Sequence, residues 1–334
     1  MKKIMNRSED FVTEVLDGIQ RAHPDSVEIC GKTNRVVVNK NRRRGRVALV
    51  TAGGSGHLPV FLGYVGDGLL DGCAVGNVFA SPSSEVMLEM IKEVDDGHGV
   101  LCIYGNYGGD TMNFRMAQEL ASFEDITTAE VVVCDDVASA IKGEEGKRRG
   151  VAGMVFAFKI AGAAADLGMS LSEIQATTQA ALANIRTMGV ATSPCIVPQV
   201  GKPTFTINED EIEIGMGIHG EPGIEVQKMM SAQEIAHTLL DRILADMPID
   251  GGDMVSVMVN GLGSTPLEEL YIVYSSVHTY LMDRNIRVCM PHIGEFATSM
   301  EMAGLSITVF KLDEQMKRLL EAPASTPFFT NHNI

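Results

Sequence analysis

The chain has 334 residues, enough for about two domains, and 45% of them are hydrophobic, enough for a large core. Acidic residues outnumber basic ones by 43 to 27, a formal net charge of −16. Such a surface repels phosphate backbones and anionic membranes, so neither nucleic acid nor membrane is expected as a partner.

The N-terminal stretch MKKIMNRSEDF turns charged before any long apolar run and does not read as a signal peptide. GRVALVTAGGSGH is an apolar strand that runs into a glycine loop. SSEVMLEMIKEV has helical periodicity, with Ser83 or Ser84 as its cap. GVLCIYGNYGGD repeats the strand-then-glycine pattern, TMNFRMAQELASF is the helix after it, and TAEVVVCDD is a third strand. This alternation predicts an α/β fold, with mixed, largely parallel sheets covered by helices and ligands gathered at the carboxyl ends of strands. Residues 150–187 read as helical. Their most apolar part, GMVFAFKIAGAAADLG, is broken by Lys159 and Asp166 and is no membrane span. The prolines of SPCIVPQVGKP mark a boundary, dividing the chain into α/β domains at 1–187 and 188–334. TFTINEDEIEIGMGIHG reads as a hairpin of Thr204–Ile207 and Glu211–Ile214 that delivers His219 just beyond its second strand. A second α/β unit follows, with helices near 231–246 and 265–283 and strands at MVSVMV and near 305–311. The six cysteines, at 30, 73, 102, 134, 195 and 289, form no C-x-x-C pair and fit reduced thiols in a cytoplasmic protein.

Three loops are candidates for chemistry. TAGGSGHLP lacks the lysine and spacing of a phosphate loop. It reads as a tight turn with a surface histidine, or as a loop whose Gly54, Ser55 and Gly56 N–H groups approach a small polar ligand while His57 accepts a hydroxyl hydrogen. In YGNYGGDTMNF, Asp110 reads as a helix N-cap or as a general base for a hydroxyl attacking phosphorus. In GMGIHGEPGIE, His219 has no zinc-ligand spacing and no nucleophile elbow beside it. It is either structural or a neutral imidazole able to add to a reactive carbonyl. The histidines at 23, 98, 237, 278, 292 and 332 have no such setting. NGLGSTPLEELY reads as a turn capped by Ser264 or Thr265 ahead of a helix, with no chemistry assigned.

Taken in order, GGSGH, GNYGGDTMNF, RRGVAG, GKPTFT, GMGIHGEPGI, GLGSTPLEELY and TSMEMAGLSIT resemble the K subunit of the dihydroxyacetone kinase family over nearly the whole chain. The resemblance implies that His219 binds a small ketose covalently as a hemiaminal. It implies that His57 and Asp110 bind the substrate hydroxyls and act as acid and base, with the Gly54–His57 backbone lining the site. It further implies a homodimer, no metal on this chain, and a separate L subunit that carries ADP or ATP with magnesium and takes phosphate from a phosphotransferase relay. No G-D-G-D-type cluster is present, so a stand-alone K subunit is expected. Position 58 is leucine where the family usually has glutamate, Gly105 stands where it usually has lysine, and Gly261 where NNLG is usual. The change at 105 admits a longer ketose such as erythrulose, or a paralogue that senses a ketose for a transcription partner; retention of His57 and Asp110 favours the enzyme.

Overall fold

The computed structural model describes residues 2–331; His332 lies outside them. After helix α1 (Phe11–Ala22), six strands make the first sheet: β1 (Val27–Cys30), β2 (Val36–Asn39), β3 (Ala48–Ser55), β4 (Gly72–Val78), β5 (Val100–Gly105) and β6 (Thr128–Val133). Their order is β1-β2-β4-β3-β5-β6, and β4, β3, β5 and β6 run parallel. Helices α2 (Ser84–Val94) and α3 (Gly108–Ser122) cover its outer face. In α2 the buried set Met87, Met90, Ile91 and Val94 has the i, i+3, i+4, i+7 spacing of one helical face.

Helix α4 (Gly153–Asp166) is buried on every side because it lies between the two sheets, which is why its sequence is apolar all round. A Cβ at Gly162 would stand 2.1 Å from the Gly68 carbonyl oxygen, so only glycine allows this approach. The lone cation in the helix, Lys159, donates to the Leu319 carbonyl at 2.8 Å. Helix α5 (Leu171–Ala183) opens with a capping box between Ser170 and Glu173.

The second sheet has β7 (Ile185–Ser193), β8 (Glu211–Ile214), β9 (Glu225–Lys228), β10 (Met254–Gly261), β11 (Arg287–Val288), β12 (His292–Gly294) and β13 (Ala303–Leu312). Helices α6 (Ala232–Asp246) and α7 (Leu267–Asp283) pack on its outer face, and α8 (Glu314–Glu321) joins α4 in the central layer. The layers are therefore helix, sheet, helix, sheet, helix. Among the described residues, no helix is long and apolar enough to cross a membrane.

The α/β class with mixed sheets is as expected, with the parallel character in the first sheet. In the second, α7 carries the chain from β10 back to its parallel neighbours β11 and β12, while β13 runs antiparallel to both β10 and β7. Three local readings are corrected. The boundary at 187/188 falls inside β7, whose Ile185 already pairs with Phe310. The hairpin is β8 with β9, and His219 lies in the loop between them. Residues 204–207 form no strand; the Thr204 N–H donates to the Cys195 carbonyl at 3.0 Å, beside an isolated antiparallel bridge between Ile196 and Pro203. Thr265 does not cap α7, since its hydroxyl exchanges hydrogen bonds with the Gly304 main chain at 2.7 and 2.8 Å.

Candidate functional site

The carboxyl ends of β4, β3 and β5 are neighbours in the first sheet, and each extends into a loop of the site. After β4 come Phe79 and Ser81, after β3 comes the Gly54–His57 loop, and after β5 come Tyr107 and Asp110. Gly54 and Gly56 are required by sterics. A Cβ at Gly54 would meet the Ala80 nitrogen at 2.7 Å, and Gly56 has φ +100° with the Phe79 ring 2.8 Å from a Cβ placed there.

His57 is a buried residue, not a surface histidine (1% exposed). Its Nδ1 donates to the Thr298 carbonyl at 2.8 Å, which fixes the tautomer and leaves Nε2 as an acceptor with no partner. Phe79 stacks on the ring at 4.8 Å. Burial, followed by the nearby His219, takes its pKa down to about 3, so it remains neutral at physiological pH. The Thr298 segment is itself fixed from the second sheet. Asn260, fully buried on β10, accepts the N–H groups of Phe296 and Ala297 and donates to the Ala297 carbonyl and to Ser306. The NGLG turn therefore has a positioning role that its sequence did not disclose.

Asp110 is not the N-cap of α3; Tyr107 is. The carboxylate sits in the first turn, nine-tenths buried, with Oδ1 unpartnered. Burial raises its pKa to about 6, against a smaller opposing effect of a Ser81 hydrogen bond and of His219. A carboxylate with this pKa is ionised at pH 7 yet basic enough to share a hydroxyl proton.

His219 comes from the second sheet. Gly215, at φ +82°, turns the chain out of β8, and Glu221 shapes the loop that follows. Its Oε2 accepts the His219 main-chain N–H at 3.0 Å, and its Oε1 lies 3.0 Å from His219 Nδ1. A carboxylate there only accepts, so Nδ1–H donates to it and the Nε2 lone pair is left free. Burial alone would raise the Glu221 carboxyl, but the hydrogen bond and charge of His219 and the charge of Arg149 outweigh it and hold the pKa at about 2. Arg149, 3.9 Å from Glu221, is anchored by Asp136 and the Gly215 carbonyl. Asp135 meanwhile accepts the N–H groups of Val151 and Gly153 at the start of α4. The paired aspartates after β6 are therefore structural.

The rings of His57 and His219 meet edge to face at 4.6 Å, and Tyr107 lies edge-on to His219 at 4.7 Å. The structure thus brings the two predicted histidines into contact, and Asp110 lies close enough for His219 to act on its carboxyl. Tyr107, Glu221 and Arg149 were missed, although each lies within a motif that was noticed. At Gly105 a Cβ would stand 3.1 Å from both the Gly150 oxygen and the Tyr107 ring, so the space a side chain would enter is already bounded. A cavity of about 250 Å³ also touches the Gly53–Leu58 loop, but His219 and Asp110 are not among its walls. Among the described residues, no three His, Cys, Asp or Glu side chains are grouped as metal ligands.

With a lone-pair imidazole, a raised carboxylate and an acceptor imidazole converging, the comparison with known proteins decides the family. A family model described as the Dak1 domain matches residues 17–328. The chain belongs to the Dak1-domain family. One Dak1 relative, the "PTS-dependent dihydroxyacetone kinase 1, dihydroxyacetone-binding subunit DhaK" of Listeria innocua, is 45% identical over 98% of this chain and 99% of its own. The D-erythrulose kinase of Mycolicibacterium smegmatis is 43% identical over 98% of this chain, which spans 56% of that longer protein. Among solved structures, a "dihydroxyacetone kinase operon co-activator" is similar with a TM-score of 0.88 and 33% identity, covering 93% of this Dak1 chain and 96% of that one.

Proposed function

We propose that this chain is the ketose-binding subunit of a dihydroxyacetone kinase. His219 Nε2 adds to the substrate carbonyl and holds the ketose as a hemiaminal. His57 Nε2 and Asp110 accept hydrogen bonds from the hydroxyls. Asp110 takes the proton from the hydroxyl that attacks phosphorus, and the phosphoryl group comes from a separate L subunit. In this reading ADP or ATP and magnesium belong to the L subunit, phosphate reaches it through a phosphotransferase relay, and the chain works as a cytoplasmic homodimer. The observation that carries the reading is the Glu221–His219 contact, in which Nδ1–H donates to the carboxylate and Nε2 is left as a nucleophile beside the unpartnered His57 Nε2 and Asp110 Oδ1. A bond that only a carbonyl can form excludes glycerol and fixes the hydroxyl for attack, an orientation effect of several kcal/mol.

Two further readings each have a relative behind them. The erythrulose kinase makes a four-carbon ketose an alternative substrate. The co-activator makes a ketose sensor an alternative role. The buried Asp110, with its pKa raised towards neutrality, favours the enzyme, because a sensor needs no base. The test is phosphoryl transfer from a loaded L subunit, with dihydroxyacetone and D- and L-erythrulose compared side by side. Transfer to one ketose identifies the substrate. Capture of ketose without transfer to any of them overturns the kinase reading in favour of the sensor.

A further inference from the structure

Among the described residues, the buried side-chain atoms without a hydrogen-bond partner include three that belong to residues around His219: His57 Nε2, Asp110 Oδ1 and the Tyr107 hydroxyl. A buried polar atom left without a partner is destabilising, so an unpartnered set beside a reactive group points to what a ligand supplies. The three are not equivalent. His57 has committed its proton to the Thr298 carbonyl, so Nε2 only accepts. The Asp110 carboxylate, once ionised, only accepts. Tyr107 is the one that can donate. Burial, and after it the Glu221 charge, raises its pKa well above the ordinary value, so the proton stays on.

A small ketose has the complementary set. Its two terminal hydroxyls are donors for His57 and Asp110, and its carbonyl oxygen is an acceptor that neither of them can serve. We propose that the Tyr107 hydroxyl donates a hydrogen bond to the ketose carbonyl oxygen, polarising the carbonyl for attack by His219 and holding the oxygen of the adduct. The inference rests on the hemiaminal reading and adds a catalytic residue to it. In the addition, the Nε2 lone pair forms the C–N bond and the carbonyl π pair moves onto oxygen. Net, one proton leaves His219 Nδ1 and one arrives at that oxygen, so atoms and charge balance without a co-reactant. Tyr107 serves the oxygen while it carries negative charge, which is when a preorganised donor contributes most. Gly105 is part of the arrangement, since the Tyr107 ring lies 3.1 Å from where a Cβ at that position would stand.

The experiment uses the full chain and Tyr107→Phe, with [2-¹³C]dihydroxyacetone and carbon NMR. Conversion of the labelled carbonyl into a tetrahedral carbon reports the adduct. Parallel titrations with 1,3-propanediol, which keeps the terminal hydroxyls and lacks the oxygen on the central carbon, report hydroxyl binding alone. Loss of one hydrogen bond to the oxygen while it is charged predicts a rate of adduct formation lowered about 10- to 100-fold, with propanediol binding unchanged. An unchanged rate of capture would overturn the proposal and leave the oxygen to main-chain N–H groups of the Gly54–His57 loop. Equal loss of both ligands, or a circular dichroism melt lowered by more than a few degrees, would make Tyr107 structural and also overturn it. A loss seen with erythrulose and not with dihydroxyacetone would move its contact to the extra hydroxyl, a third contrary result. Failure of the parent chain itself to show the tetrahedral carbon would sink the hemiaminal reading, a different outcome from any of these.

Discussion

The two histidines of the site, one from each sheet, are held by the same nitrogen and prepared for different work. His57 donates its Nδ1–H to a neutral main-chain carbonyl in a dry, aromatic setting. His219 donates its Nδ1–H to a carboxylate that has an arginine behind it, on a loop where the side chain stays 22% exposed. A neutral carbonyl orients a ring but does little for positive charge on it. A carboxylate does both, so on the proposed hemiaminal reading the imidazolium that develops as Nε2 bonds to carbon is met by Glu221. On that reading the first environment makes a fixed hydrogen-bond acceptor, and the second makes a nucleophile. What separates the two roles is the group behind the ring.

The most severe way to break this comparison is to remove each ring in turn. His219→Ala is expected to abolish the tetrahedral carbon signal with labelled dihydroxyacetone. His57→Asn should keep the signal and weaken capture by roughly fivefold, since one hydrogen bond to a hydroxyl is worth about 1 kcal/mol. If His57→Asn loses the adduct while His219→Ala keeps it, the roles are reversed.

Next in size is Asp110→Asn. It should bind ketose but lower phosphoryl transfer by about 10²–10⁴-fold, the usual contribution of a general base. In the parent chain, transfer should rise with pH as Asp110 ionises through about pH 6. Stability should move the other way. A carboxyl whose folded pKa is raised from 3.8 to about 6 carries no ionisation penalty below 3.8, and the penalty grows across that window and is complete by pH 7. Asp110→Asn should therefore stabilise the chain at pH 7, on the order of 2 kcal/mol, and not at pH 3.5. Urea titrations at both pH values check this, and equal midpoint shifts would contradict it.

Glu221→Gln tests the group behind the ring directly. The amide still offers an oxygen to Nδ1 but no charge, so capture should weaken by about tenfold, less than in His219→Ala and without loss of the adduct. A parent carboxyl held at about 2 stays ionised down to acid pH. Because that pKa is depressed from 4.5, its stabilising contribution is complete above pH 4.5 and fades as pH falls towards 2. Capture by Glu221→Gln equal to the parent's would remove the carboxylate from the account of why the two histidines differ.

The same contrast explains what the sequence made legible. The first half of the site lies at strand ends of a parallel sheet, where apolar runs such as ALV and VLCIYG point to the loops after them, so Gly54–His57 and Asp110 could be found in advance. The second half was located by its motif but misplaced in the fold. β9, whose sequence is EVQK, is a half-exposed edge strand with no apolar alternation, whereas TFTI imitates a strand but follows a single isolated bridge, Ile196 with Pro203. Asp110 read as a cap or as a base because both uses place the same residue type at the same helix end; its position inside the first turn and its burial tell against the cap. The roles of Asn260, Tyr107 and Arg149 depend on partners 13 to 66 residues away or on having no partner at all, which no local pattern records.

The smallest expected effect sharpens the comparison by disturbing the wall between the two halves. At Gly105→Ala the added methyl meets the Gly150 oxygen and the Tyr107 ring at 3.1 Å, so both must give by a few tenths of an ångström. Overpacking of this kind costs about 1 kcal/mol or somewhat more. Gly105 has no positive φ, so alanine also removes unfolded-state freedom and returns about 0.4–1 kcal/mol. The two terms nearly cancel, and the net loss of stability should stay within about 1 kcal/mol, a melting shift of a degree or two. Ketose capture should respond more than stability does, because the atom that moves is a carbon of the Tyr107 ring and not a core side chain. A stability loss of several kcal/mol would mean that the Gly105–Gly150 approach is rigid and serves the sheet. A small stability loss with an altered ratio of dihydroxyacetone to erythrulose capture would mean that position 105 acts on substrate choice through Tyr107, from behind the ring just as Glu221 acts on His219.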